Sequence, residues 1–125
     1  GERVRVSSRA LLAAFALAPE RPELAPDALE ALQSPAAGRV LIEFLARLAT
    51  EHLETPERAN AWLTDLRHAL RDSDGLQGRQ VMFPIRAALT GSLRGPCLGI
   101  VTCLLGATRC RDRALAALSI CQGAT

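Results

Sequence analysis

The sequence contains no lysine and no tyrosine, and its only aromatic side chains are three Phe and one Trp. All fifteen basic residues are therefore Arg. A high-GC coding sequence produces that bias without any functional demand, but guanidinium groups also suit bidentate phosphate contacts and stacking on bases. The scarcity of aromatics argues against a strand-rich domain. No apolar run reaches transmembrane length, so no membrane partner is expected. The stretch from Ala10 to Ala18 is apolar but short and has no convincing cleavage context, which excludes a secretory signal there. Cys97, Cys103, Cys110 and Cys121 show no C-x-x-C spacing, and His52 and His68 lie far upstream. A zinc site has little support on such spacing. There is no P-loop, no GxGxxG and no HExxH. Nothing pairs a nucleophile with a base, and Glu51, Glu54 and Glu57 read as a solvated face around a helix start. No catalytic residue, no metal and no cofactor are expected.

What is present points to helix. Hydrophobic residues make up 49% of the 125 positions, enough for one compact domain or two small helical subdomains sharing a core. Most of that apolar content is Ala and Leu, both strong helix formers. The charge is unevenly placed. Residues 1–74 carry nine Arg against twelve acids, whereas residues 75–125 carry six Arg against Asp112 alone. The second part, at net +5, has the sign needed to face a polyanion.

Helix starts are marked by Pro and small polar residues. Ser7 or Ser8 opens a helix through Leu17, and Pro26-Asp27 opens a short one to about Gln33. Ser34-Pro35 starts another, with Leu41, Phe44, Leu45 and Leu48 at helical spacing. Thr55-Pro56-Glu57 combines an N-cap, a first-position Pro and an acid near the dipole. Behind it Ala59, Trp62, Leu63, Leu66 and Leu70 form one apolar stripe, which makes Trp62 a core residue rather than a base-stacking platform. Ser73-Asp74-Gly75 breaks the chain. Pro84 then begins a short helix ending near Gly91, and Pro96 an apolar helix from Cys97 to Leu105 that stops at Gly106. Thr108 caps the last helix, where Arg109, Arg111 and Arg113 sit against the dipole and read as a solvated face. Three of the cysteines fall in apolar runs and act as small buried hydrophobes. The expected fold is all-α, a compact array of six to seven helices in two packed subdomains, 1–74 and 75–125.

One stretch carries more than periodicity: Gly78-Arg79-Gln80-Val81-Met82-Phe83-Pro84-Ile85-Arg86-Ala87-Ala88-Leu89-Thr90-Gly91, then Gly95-Pro96-Cys97-Leu98, Leu104-Leu105-Gly106 and Arg113. It resembles the C-terminal anticodon-binding region of bacterial and organellar glutamyl-tRNA synthetases. That family's run is Gly-Lys-x-Leu-Phe-x-Pro-Leu-Arg-x-Ala-Leu-Thr-Gly, followed by Gly-Pro-x-Leu or Gly-Pro-x-Met. The resemblance is firm over 78–113 and looser over 55–118. It implies RNA contacts by Arg86, Thr90, Arg94, Gly95, Pro96 and Leu98, with Gly95 shaping the turn. A structural salt bridge from Arg86 to an upstream acid is the competing role for that side chain. Gly99 stands where many bacterial members have Phe and an aromatic base contact is lost there; cyanobacterial and plastid members tend to have Gly at this place, so the resemblance leans toward them.

The signature motifs of the synthetase catalytic half are absent, so the chain reads as a piece of a synthetase or as a natural protein that kept the end and lost the engine. The first reading is binding of the anticodon stem-loop of tRNA(Glu), or of other RNA, for a catalytic half elsewhere. The alternative is a synthetase-derived remnant serving as an RNA-binding or protein-docking subunit of a ribonucleoprotein such as an organellar ribosome. A purely protein-binding module would instead use the apolar 97–105 helix. Unpaired thiols point to a reducing compartment: cytoplasm, mitochondrion or plastid.

Overall fold

The computed structural model describes residues 24–123, and the helix expected from Ser7 to Leu17 lies outside them. Among the described residues there are five α-helices and no strand: α1 Pro26–Leu32, α2 Ala37–Arg47, α3 Pro56–Asp74, α4 Gly78–Thr90 and α5 Leu98–Gly123, with a 3-10 turn at Thr50–Leu53. The all-α expectation holds, with fewer helices than the six to seven anticipated. Part of the difference is at Gly106, where φ 79 and ψ 165 interrupt α5 without separating its two segments by a loop. No helix among the described residues is long and apolar enough to cross a membrane.

The sequence signals act locally as their chemistry requires. The Thr55 hydroxyl accepts from the Arg58 amide at 3.1 Å, capping α3 one residue before its Pro. Ser34 donates to the Ala31 carbonyl at 2.8 Å, so it closes α1 rather than opening α2. The start of α4 is a correction. Pro84 is not its first residue but lies inside the helix, which begins six residues earlier at Gly78. The Gln77 amide donates to Gln80 Oε1 at 2.8 Å and satisfies that earlier end. Pro84 cannot donate to the Gln80 carbonyl, a cost that is avoided only in the first turn of a helix, but its ring is buried.

The helix α4 is central and packs against every other helix among the described residues. Val81, Ile85, Ala87, Ala88 and Leu89 are buried in one continuous core with Leu32 of α1, Val40, Leu41 and Phe44 of α2, the Ala59–Leu70 stripe of α3, and Leu98, Val101 and Leu105 of α5. Trp62 is 6% exposed and sits in this core. Its ring lies 5.3 Å from Phe44 and stacks on His52 at 5.6 Å. The first segment of α5 buries 98, 101, 102 and 105, and the second buries 110, 113, 114 and 117. Both are the i, i+3, i+4, i+7 pattern of an amphipathic helix.

Arg113 falls on the second stripe and is only 2% exposed, so the solvated face expected for it is corrected. Its Nη1 donates to the Leu89 carbonyl at 2.6 Å. That carbonyl belongs to the last turn of α4, where carbonyls lack an intrahelical donor and carry the negative end of the dipole. Burial lowers the Arg113 pKa, with Cys110 acting in the opposite sense and Arg109 in the same one. Arg113→Ala should cost about 2–4 kcal/mol in chemical denaturation, from an unsatisfied carbonyl plus a cavity. Arg111→Ala, on the exposed face, should stay within about 0.5 kcal/mol. Equal effects of the two would contradict this placement.

Candidate nucleic-acid interface

Between α4 and α5 the chain makes a turn over residues 91–97, exposed at Arg94, Gly95 and Cys97 and built from the end of α4 outward. The buried Thr90 hydroxyl lies 2.9 Å from the Arg86 carbonyl and 3.1 Å from the Ser92 carbonyl, and it accepts from the Ser92 amide at 3.3 Å. The Ser92 hydroxyl accepts from the Arg94 amide at 3.1 Å. Arg86, half-buried on α4, spans the turn: its Nη1 donates to the Pro96 carbonyl at 2.7 Å. No acid partners it among the described residues, so the salt-bridge alternative is replaced by a bond to backbone. Burial lowers the Arg86 pKa and the neighbouring Cys97 raises it. Gly95 has φ +140, a conformation L side chains rarely adopt, and a Cβ there would lie 3.9 Å from Arg86 Nη1.

The six residues implied by the resemblance therefore separate. Arg94 and Gly95 are exposed, and Arg86 and Pro96 are half-buried at the turn. Thr90 and Leu98 are 6% and 3% exposed, and their side chains face inward, one tying the turn to α4 and the other anchoring α5 in the core. Sequence reasoning missed Phe83. It stands three residues before Arg86 on the same face of α4, half-buried and outside the continuous core. Its place in the quoted motif, one residue before Pro84, is the signal that could have drawn attention to it.

Electrostatics sharpen the surface. Upstream, Arg39 and Arg47 pair with Glu43 at 2.7 and 2.8 Å, Arg58 with Glu54 at 2.9 Å, and Arg71 with Asp72 at 3.5 Å. Exposed Arg67, Arg79, Arg94, Arg109 and Arg111 pair with no acid among the described residues. Four of those five lie beyond residue 75, in the basic part of the chain. Elsewhere a cleft of about 310 Å3 beside Trp62 is lined by Glu51, His52, Arg58, Ala61 and Asp65, with Arg58 already tied to Glu54. Two unpaired carboxylates make that cleft unsuited to a polyanion. No group of three or more potential metal-ligating side chains gathers among the described residues.

The cysteines depart from expectation. Only Cys110 is fully buried, its thiol pushed up to about 12 by burial; Cys103 and Cys121 are half-buried, and Cys97 is exposed. Cys97 Sγ donates to Asn60 Oδ1 of α3 at 3.1 Å. Gly99 is buried directly beneath that pair. A Cβ there would overlap the Asn60 side-chain amide and stand 2.8 Å from the Pro56 carbonyl. Gly99 is thus not an open position that has lost a contact; it is filled by a neighbour. Gly99→Ala should destabilise by about 1–3 kcal/mol through overpacking. Asn60→Ala in the same chain should recover part of the loss, because the Pro56 carbonyl remains in the way. Denaturation of a Gly99→Ala variant indistinguishable from the parent would refute the close approach.

The profile described as anticodon binding domain matches residues 6–118. Among curated proteins, glutamate–tRNA ligase 2 of Alkalilimnicola ehrlichii is 40% identical over 92 residues, 72% of this chain and 17% of that protein. Glutamate–tRNA ligase 1 of Halorhodospira halophila is 37% identical over 105 residues, 82% of this chain and 20% of that protein. Glutamate–tRNA ligase 1 of Rhodospirillum rubrum is 39% identical over 80 residues, 64% of this chain and 16% of that protein. The chain spans a fifth or less of the length of these relatives. No solved structure matches it. With nearly its whole length covered by that profile, the chain belongs to the anticodon binding domain family.

Proposed function

We propose that the chain binds the anticodon loop of tRNA(Glu) as the non-catalytic C-terminal part of a glutamyl-tRNA synthetase, with glutamylation performed by a catalytic half elsewhere. The observation that carries this reading is the 91–97 turn, braced by Arg86 and carrying exposed Arg94, which no acid neutralises among the described residues. Unstacked anticodon bases are recognised by stacking and by hydrogen bonds to their edges. Phe83 and Pro96 offer flat apolar surface, and Arg86 offers a guanidinium plane already oriented by its bond to the turn. Arg94 is placed for a phosphate. Thr90 and Leu98 act from below by fixing the turn. A reducing compartment, whether cytoplasm, mitochondrion or plastid, fits the four free cysteines. The ribonucleoprotein alternative draws no support from the relatives, which are all named as glutamate–tRNA ligases.

Binding of tRNA(Glu) and of other tRNAs should be measured across a salt series. Preference for tRNA(Glu) at physiological salt is expected, with affinity falling linearly in log salt. Arg86→Ala should erode the preference, whereas Arg94→Ala should weaken all tRNAs alike and reduce the salt slope by about one. Bound tRNA(Glu) should also shield the exposed Cys97 from alkylation. Equal affinity for every tRNA would sink the reading.

A further inference from the structure

The exposed edge of α3 has features that helix stability does not require. Asn60, Thr64 and Arg67 stand at i, i+4 and i+7, so they share one face, and all three are exposed. Asn inside a helix is poorer than Ala because its side chain competes for backbone hydrogen bonds. Here it makes none with its own helix. Its Oδ1 is instead fixed by the Cys97 thiol, one residue past the Pro96 carbonyl that Arg86 holds. With Oδ1 so engaged, the two Nδ2 protons meet no acceptor among the described residues. The missing side chain at Gly99 is what lets the Asn60 amide lie against the start of α5. Alongside it a cleft of about 60 Å3 runs to α4, lined by Leu63, Thr64, Arg67 and Met82. The Arg67 stem lies over the first residue of α4, 3.8 Å from where a Gly78 Cβ would be, and its guanidinium has no acid partner among the described residues.

The geometry points to a continuation of the RNA surface onto α3, in which Asn60 reads a base edge and Arg67 contacts a phosphate. This rests on the anticodon-loop reading above. A pinned amide with free N–H donors selects a base presenting a carbonyl oxygen or ring nitrogen, and it rejects one presenting an amino group. The thiol contributes by orientation: it fixes which end of the amide faces outward. Contact at this point is by hydrogen bond, since Gly99 lies buried beneath the Asn60 amide and presents no side chain of its own.

The test uses the 125-residue chain and anticodon stem-loop RNAs of tRNA(Glu) in which each loop base is replaced in turn. Asn60→Ala and Asn60→Leu are compared with the parent; the Leu variant fills the same space without a donor, and thermal melting checks that both fold. Both should lose discrimination of roughly two- to tenfold at one loop position, the worth of one hydrogen bond, with the salt slope unchanged. Arg67→Ala should weaken every RNA alike and lower the salt slope by about one. If the parent discriminates but the folded Asn60 variants keep the same base preferences, the role of Asn60 is overturned while the anticodon-loop reading stands. An unchanged slope for Arg67→Ala overturns the phosphate contact in the same way. If the parent binds none of the RNAs, the anticodon-loop reading itself fails.

Discussion

A helix that ends inside a protein leaves carbonyls that need donors, and the end of α4 is where this structure meets that demand. The Leu89 carbonyl takes its proton from buried Arg113, the Gly91 carbonyl accepts from the Ala25 amide at 2.8 Å, and the Thr90 hydroxyl closes on the Arg86 carbonyl. Donors thus arrive from α5, from the residue before α1 and from α4 itself. Each joins a different part of the chain to one point. The turn that follows inherits its position from this junction, and Arg86 then fixes its far side. Loss of one of these donors would both weaken the core and move the turn.

The arginines divide by use, which net charge conceals. Among the described residues upstream of residue 75, Arg39, Arg47, Arg58 and Arg71 are spent on Glu and Asp in surface pairs, each of small value to stability. Beyond it, Arg113 serves a buried carbonyl and Arg86 the backbone of the turn. That leaves Arg79, Arg94, Arg109 and Arg111 as exposed charge, four of the six that the sequence counts there. Arg67 adds a fifth from the acidic part. Among the described residues, the arginines left without an acid partner thus lie on both sides of the charge boundary in the sequence.

Much of the fold was legible because its signals are local. Thr55-Pro56 opening α3, the stripe from Ala59 to Leu70 and the glycines closing α3 and α4 each depend on neighbours within a turn or two. The start of α4 was misread because Pro84 is the stronger local signal; Gln77 and Gln80 form a quieter one, and burial of the proline ring is a tertiary fact. Arg113 could have been recognised. It falls on the i, i+3, i+4, i+7 stripe with Cys110, Ala114 and Ala117, and only its residue type argued for solvent. At the site, the motif located the turn but not which side chains point inward. Burial of Leu98 and Thr90 depends on helices distant in sequence, as does the meeting of Asn60 with Cys97 and Gly99, which are separated by almost forty residues.

That meeting constrains how the sequence can drift. Positions 60 and 99 share one volume, so enlargement of residue 99 requires residue 60 to shrink first. Shrinking residue 60 does not suffice, because the Pro56 carbonyl still stands 2.8 Å from a Cβ at 99. The first turn of α3 would also have to retreat. Glycine at this point thus couples two helices: a larger residue 99 asks for a smaller residue 60 and for a shift of the backbone at Pro56 together.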